Sequence, residues 1–501
     1  WDDMEAVMRE EGVRLWSLET RRTLDEFDVI GFSLQHELNY TNVLNMLDLA
    51  GIPVWAAERA EDAPLVIAGG SCTYNPEPLA GFVDAFVIGE GEEVLLEVLD
   101  VVAAWKDSGR AGGRREILQR LAGVAGVYVP SLYEAVYTPE GRLADTRPLD
   151  SVAPGRVTKR ILPTLGPPPT RPILPTMETV HDRAVVEIQR GCSRGCRFCQ
   201  AGMIYRPIRE RPVEETLTAI DEILAHSGYH EVSLMSLSSS DHSGISALVE
   251  GALAAHGEGG LSVALPSLRI DSFSVGLAER IQSTRKTGFT FAPEAGSQRL
   301  RDVINKGVTE EDLLHAAGAA FRAGWNRIKL YFMIGLPTET DEDVLEIARL
   351  ARDLQRLGRE VRGRTVDITV SVSTFVPKPH TPFQWARLAP HEDIERRQGL
   401  LRQGIRGRGF KLSWSEWDNT WLEAILARGD RRLGGVIHRA WRNGARLDAW
   451  REHFRPDVWR AAFDTEGVAP EDYVERQRSP EEALAWDVID CGVTKRFLWR
   501  E

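Results

Sequence analysis

Apolar runs bounded by turn residues alternate with helically spaced stretches from the start of the chain. FDVIGFSL (27–34), APLVIAGG (63–70) and DAFVIGEG (84–91) read as buried strands, and TNVLNMLDLAG (41–51) and EEVLLEVLDVVAAW (92–105) as helices. This alternation predicts a parallel, doubly wound sheet, a Rossmann-like domain over residues 1–105. Residues 106–180 carry GRAGGRRE and the proline-dense ILPTLGPPPTRPILPTM, which resists both helix and central strand, and are read as a linker or irregular extension. From 181 onward six short β-rich runs follow: AVVEIQ at 184, EVSLMS at 231, LSVALPS at 261, GFTFAP at 288, RIKLYFMIG at 327 and VDITVSVS at 366. Helical stretches such as VEETLTAIDEILAHSG and DEDVLEIARLARDLQRLG separate them, so the unit is strand then helix. The fold class is α/β, with a six-stranded parallel partial barrel, (β/α)6, over 181–385 and a helical, Trp-rich C-terminal domain over 386–501.

Composition narrows what this architecture does. A chain of 501 residues, 43% hydrophobic and 27% charged, can build two or three ordinary cores. No window reaches 18 uninterrupted apolar residues and the N-terminus lacks the order of a signal peptide, so no membrane association and a cytoplasmic location are expected. The sequence opens on Trp1 within a helix-like pattern, which gives the expectation of a segment upstream. A net charge of -13 argues against general polyanion binding, since nucleic-acid affinity rests on Lys and Arg neutralising phosphates.

The five cysteines change the picture most. Cys72 and Cys491 stand alone, whereas Cys192, Cys196 and Cys199 fall in EIQRGCSRGCRFCQAGMIYR (187–206) at the spacing C-x3-C-x2-C. Structural zinc wants four ligands, usually as two pairs, and no further cysteine lies nearby. A cubane iron-sulfur cluster has four irons, so three thiolates leave one iron open to a substrate. The cysteines also follow the first strand of the predicted barrel, at the edge where parallel α/β sheets build their sites. Gly191 and Gly195 let the backbone turn tightly there, and Phe198 is placed to shield a cluster from water.

These residues resemble the signature of the radical S-adenosylmethionine (SAM) superfamily, in its methylthiotransferase-like branch. The resemblance implies a [4Fe-4S] cluster on Cys192, Cys196 and Cys199. It further implies that SAM is cleaved reductively to methionine and a 5′-deoxyadenosyl radical, which abstracts hydrogen from a substrate. APEAGSQRLRDVINKG (292–307) looks like the branch's fourth-strand segment, with Glu294 and the turn at Gly296 and Ser297 near the SAM ribose, and YFMIGLPTET (331–340), with Gly335, looks like its fifth-strand motif. Where the branch has a Gly-Gly-Glu type motif for the SAM ammonium, this chain has MSLSSSDH (235–242): Ser236, Ser238, Ser239 and Ser240 could supply acceptors, with Asp241 as the charge partner. Equally open are a serine-rich turn capping the next helix, and Glu294 as a carboxylate serving a helix N-terminus.

GFSL, IAGG and VIGEGEE are similar to the cobalamin (B12)-binding-type domains that precede many radical SAM cores. Over nearly its whole length, the chain resembles a group of bacterial radical SAM proteins with such a domain and an unestablished substrate. Cobalamin is therefore raised as a further cofactor, with methyl transfer as the next step, although the cobalt-ligating Asp-x-His-x-x-Gly loop is not in these residues. A methylthiotransferase needs about three more cysteines for an auxiliary cluster, and the N-terminal domain offers only Cys72, which disfavours sulfur insertion. The implied partners are an electron donor such as flavodoxin or ferredoxin and a substrate that is a small molecule, an RNA or a protein. An oxygen-sensitive enzyme is the leading expectation. Its rivals are a non-catalytic iron-sulfur redox or sensor protein and a radical SAM RNA-modifying enzyme, the latter suggested by arginines interleaved with tryptophans over 396–442. Trp414, Trp417 and Trp421 are read as one buried helix face, His36 as a surface or interdomain residue, His380 as structural and Cys491 as a small buried hydrophobe.

Overall fold

A computed structural model describes residues 2–501 apart from Glu178, His181, Ser267, Leu268 and 271–288. Ser267 at the end of LSVALPS and Gly288 at the head of GFTFAP therefore lie outside the described residues. By its contacts the chain forms two units. One comprises 1–162, 376–388 and 416–501, the other 163–375 and 389–415.

The first unit is built on the sheet expected near the N-terminus. Strands Val29–Ser33, Leu65–Gly69 and Ala85–Val87 run parallel, and Val127–Tyr128 adds antiparallel at the edge. Helix Gly91–Asp107 buries Val94, Val98, Val102 and Trp105, spaced to keep one face inward. A buried carboxylate locks strand to strand: Asp84 accepts from Arg59 at 2.7 Å, from Arg114 at 2.8 Å and from the Val66 N–H at 2.8 Å.

The four-part division read from the sequence is not how these residues pack. The stretch 106–160 is no linker, since it holds helix Gly113–Ala122 and the hairpin of Tyr133–Tyr137 with Leu143–Pro148. The proline-rich 161–177 lacks helix and strand, as proline's missing N–H and fixed φ dictate. Residues 416–501 pack within the first unit instead of standing alone: helix Leu433–Arg442 meets helix Tyr40–Leu49, where the Trp441 indole donates to Asn45 at 3.3 Å, and Thr41 donates to Asp448 at 2.7 Å.

The second unit is the strand-helix repeat. Ala184–Glu187, Glu231–Met235 and Ser262–Ala264 form one parallel sheet, and Phe289–Glu294, Arg327–Ile334, Asp367–Thr374 and Phe410–Trp414 another. The seventh strand, Phe410–Trp414, was not expected. Its alternation of half-buried and exposed residues is short and sits inside the Arg- and Trp-rich stretch. Trp414 consequently lies on a strand, while Trp417 and Trp421 lie on helix Trp417–Arg428, so the three do not share one helix face. Helix Asp341–Arg362 starts at a reciprocal Thr340/Asp343 cap and ends at Gly363. Such helices cover the sheets: Ile220 and Ile223 from one, and Leu248 and Val249 from the next, join Val232 and Leu234 in a single core. Among the described residues no helix is long and apolar enough to cross a membrane.

Replacing Asp84 by Asn would leave two buried guanidiniums short of their counter-ion. Asp84→Asn is expected to lower stability by about 3 kcal/mol in urea unfolding, the scale of breaking a buried ion pair; a loss below about 1 kcal/mol would show that the backbone carbonyls around Arg59 suffice.

Candidate active site

The cysteine loop leaves the first strand of the second unit through Gln189–Arg190, which pairs antiparallel with Arg209–Glu210. Gly191 turns the chain at φ 86°, where a side chain would place its Cβ 2.6 Å from the Pro207 carbonyl oxygen, so only glycine fits. The loop is then pinned to the segment after strand Phe289–Glu294. The Arg197 N–H donates to Ile304 at 3.0 Å, its guanidinium to Val303 at 2.7 Å, and Asn305 donates to the Gly195 carbonyl at 3.0 Å. With its backbone thus satisfied, the loop presents three free, half-buried thiols, Cys192, Cys196 and Cys199.

The thiols sense one another. Burial pushes the Cys199 thiol up to about 11, and the neighbouring Cys196 and Cys192 add to the rise, whereas the Gly202 N–H, 3.4 Å from the Cys199 sulfur, works against it. Burial likewise raises Cys196, with Lys306 and Arg269 pulling the other way. Without metal Cys196 and Cys199 favour their protonated forms, and loading a cluster must displace those protons. A thiol-rich loop with an N–H aimed at sulfur and cations nearby is the donor set that iron-sulfur clusters use.

Glu294 closes the strand Phe289–Glu294 at φ 69°, a strained value for a glutamate. Its carboxylate pairs with Lys306 at 3.1 Å, the two side chains 16% and 12% exposed, and burial raises its pKa. Asp241 accepts from the Arg194 guanidinium, one contact at 2.7 Å, and from Ser238 at 2.6 Å. Burial opposes its charge, but these donors outweigh burial and hold the carboxyl below its ordinary value. Arg269 spans the region, its N–H donating to Ser240 at 3.1 Å and its guanidinium to the Lys306 carbonyl at 3.1 Å.

The other residues singled out from sequence sit as follows. Ser236 donates to Ser239 at 3.1 Å, and Ser239 to the Leu234 carbonyl at 3.1 Å, so both hydroxyls hold the turn after strand Glu231–Met235. Ser297 caps the following helix through the Leu300 N–H at 3.1 Å and also bonds Asp343. Gly335, at φ 85°, donates to Glu339 at 2.6 Å, and Glu339 pairs with Arg397 at 3.0 Å. Phe198 is half-buried in the cysteine loop. Lys306, Arg269, Arg194 and Asn305 went unread in the sequence; Asn305 and Lys306 lie inside the quoted APEAGSQRLRDVINKG, where a lysine close behind a carboxylate-bearing strand end was the available signal.

In the first unit, His380 is buried with Nε2 2.9 Å from the Tyr74 carbonyl, and Cys491 is buried. Gly70 and Gly89, in the IAGG and VIGEGEE segments, lie tightly against the chain's own backbone. A Cβ on Gly70 would lie 2.5 Å from the Leu34 carbonyl oxygen, and one on Gly89 2.2 Å from that of Arg160.

The chain is similar to known families and proteins over most of its length. Residues 1–130 match the family model for radical SAM proteins, N-terminal, and residues 186–351 that of the radical SAM superfamily. An uncharacterised protein of Methanocaldococcus jannaschii is 27% identical over 467 residues, covering 92% of this chain and 91% of that protein. An uncharacterised methyltransferase of Pyrococcus horikoshii is 23% identical over 62% of each chain. The tRNA-2-methylthio-N(6)-dimethylallyladenosine synthase of Thermotoga petrophila is 28% identical over 36% of this chain and 43% of that one. Among solved structures, the radical SAM methyltransferase TsrM of Kitasatospora setae, with cobalamin and a [4Fe-4S] cluster bound, superposes with a TM-score of 0.50 at 14% identity, over 93% of this chain and 91% of that one, a likeness of fold. The cysteine-bearing barrel and the sheet that precedes it each answer to a radical SAM model, and the chain belongs to the radical SAM superfamily of enzymes, whose cofactors are a [4Fe-4S] cluster and S-adenosylmethionine.

Proposed function

We propose that Cys192, Cys196 and Cys199 ligate three irons of the cluster, leaving the fourth to the amino and carboxylate groups of SAM, and that the chain uses the cleaved cofactor to take hydrogen from a substrate. When bound and reduced, the cluster supplies the electron that breaks the sulfonium bond, giving methionine and a 5′-deoxyadenosyl radical. The observation that carries this reading is the gathering of three free thiols with Lys306, Arg269 and the buried Glu294 at the strand ends of one parallel unit. Each group has a task. The Gly202 N–H fixes the Cys199 sulfur, and the two cations offset the negative charge that three thiolates accumulate. Glu294, held by Lys306, is the carboxylate for the SAM ribose. Asp241 is poorly suited to the SAM ammonium, because Arg194 and Ser238 already occupy its oxygens. An electron donor of flavodoxin or ferredoxin type completes the system.

Sulfur insertion is disfavoured, because only Cys72 and Cys491 remain outside the loop. Cobalamin-dependent methyl transfer is the second reading, favoured by the likeness to the cobalamin-bound Kitasatospora methyltransferase and by the Pyrococcus relative. Gly70 and Gly89 do not add to it, since the chain's own carbonyls, those of Leu34 and Arg160, already account for glycine at these positions. Corrinoid analysis of the purified chain separates the two readings.

Anaerobically reconstituted protein is expected to carry about four irons and four sulfides per chain and, with SAM and dithionite, to form 5′-deoxyadenosine and methionine. Cys196→Ala should lose both the cluster absorbance and the products. A wild-type protein that holds its cluster yet leaves SAM intact would establish the sensor alternative. Glu294→Gln is expected to keep its iron and raise the KM for SAM about tenfold, about 1.4 kcal/mol of binding; an unchanged KM with a lowered Tm would instead assign Glu294 to its helix.

A further inference from the structure

A pocket in the first unit carries more positive charge than the protein itself balances. It encloses about 30 Å3 and is lined by five guanidiniums, those of Arg142, Arg428, Arg432, Arg476 and Arg478, against three carboxylates, Asp430, Asp472 and Glu482. Two of the carboxylates are already engaged. Asp430 grips Arg432 through contacts of 3.0 and 2.8 Å, and Glu482 grips Arg476 through a pair of contacts, one at 2.6 Å.

Arg428 and Arg478 have no such partner. Arg428, 1% exposed, donates only to main-chain carbonyls, those of Tyr473 and Ala386 at 2.8 Å and Gln384 at 3.3 Å, and its second terminal nitrogen is buried with no acceptor. Arg478, 6% exposed, reaches the Arg428 and Tyr473 carbonyls at 3.3 and 3.5 Å, stacks on Trp486, and leaves its Nε buried without an acceptor. Carbonyl oxygens satisfy hydrogen bonds but do not cancel a net charge, and a guanidinium cannot shed its proton as a buried lysine can. Burial works against both charges, Arg478 and Arg476 add repulsion to Arg428, and Glu482, with Asp430 for Arg478, offsets this only in part. Two buried, adjacent guanidiniums with no carboxylate in direct contact are costly unless an anion joins them.

We propose that this pocket binds a phosphate-type oxyanion, as the free ion or as the phosphoryl group of a small molecule. Planar guanidinium forks match oxyanion geometry, and the two unbalanced positive charges match the near-dianionic charge of a phosphate monoester better than a carboxylate's single charge. The small volume suits one such group. Arg142, exposed at the rim, is placed to draw the anion in. The assignment is independent of the cluster chemistry.

The test titrates the full-length protein with inorganic phosphate, pyrophosphate, AMP and acetate against chloride at matched ionic strength, following binding by calorimetry and thermal unfolding. Saturable binding of at least one phosphate species, with a rise of several degrees in Tm that chloride and acetate do not give, is expected. Response to phosphate alone identifies a free-ion site, and an equal or larger response to AMP identifies a phosphoryl-group site. Arg478→Gln should weaken binding at least tenfold while circular dichroism stays native, and Arg142→Ala, a surface change, should weaken it several-fold and carries the same test should Arg478→Gln fail to fold. No saturable response beyond chloride, an equal response to acetate, or undiminished binding in the folded variants would overturn the proposal.

Discussion

Negative charge crowded onto one short loop is the constraint around which the second unit is organised. Of the three cysteines within eight residues, Cys196 and Cys199 are raised chiefly by burial, and the neighbouring sulfurs add to the rise. They become ligands only where positive charge compensates them, and that is the work of the metal together with Lys306 and Arg269. Both cations come from segments remote in sequence from the loop. Arg269 comes from beyond strand Ser262–Ala264 and Lys306 from the segment after strand Phe289–Glu294, so each of the two parallel sheets supplies one cation.

The same constraint explains the tethering of the loop. A backbone that must present three side chains in one direction cannot make ordinary ladder bonds, so its polar groups are met individually, by Ile304 and Asn305. Asn305 and Lys306 are thereby tied together: the residue that fixes the loop adjoins the residue that offsets its charge.

How much of this was legible follows from the range of each signal. The strand-helix alternation and the cysteine spacing are local, and they were readable. The packing of 416–501 with the N-terminal sheet was not, because it depends on pairings such as Thr41 with Asp448, separated by hundreds of residues. Strand Phe410–Trp414 was missed for a different reason: five residues of alternation carry little weight amid arginines and tryptophans that suggested another use. The serines after strand Glu231–Met235 were read both as ligands and as turn residues, and their mutual hydrogen bonds place Ser236 and Ser239 in the turn. Residue type alone could not decide between those, because a hydroxyl serves either.

Charge compensation also separates structural clusters from sites. Asp84 is met by two guanidiniums and a main-chain N–H, and Lys378 by Glu37 at 2.7 Å and Glu423 at 2.9 Å, with His36 3.6 Å from Glu423. In the first a buried carboxylate meets two guanidiniums, and in the second a lysine meets two carboxylates, so opposite charges are in direct contact within the chain. The cysteine loop and the pocket of Arg428 and Arg478 differ in kind, one lacking positive charge and the other negative. Such imbalance is costly to maintain in a fold unless something outside the polypeptide resolves it. A cluster of polar residues therefore matters less as a marker of function than the charge it leaves without a direct partner, and by that measure the cysteine loop and the pocket of Arg428 and Arg478 stand out among the described residues.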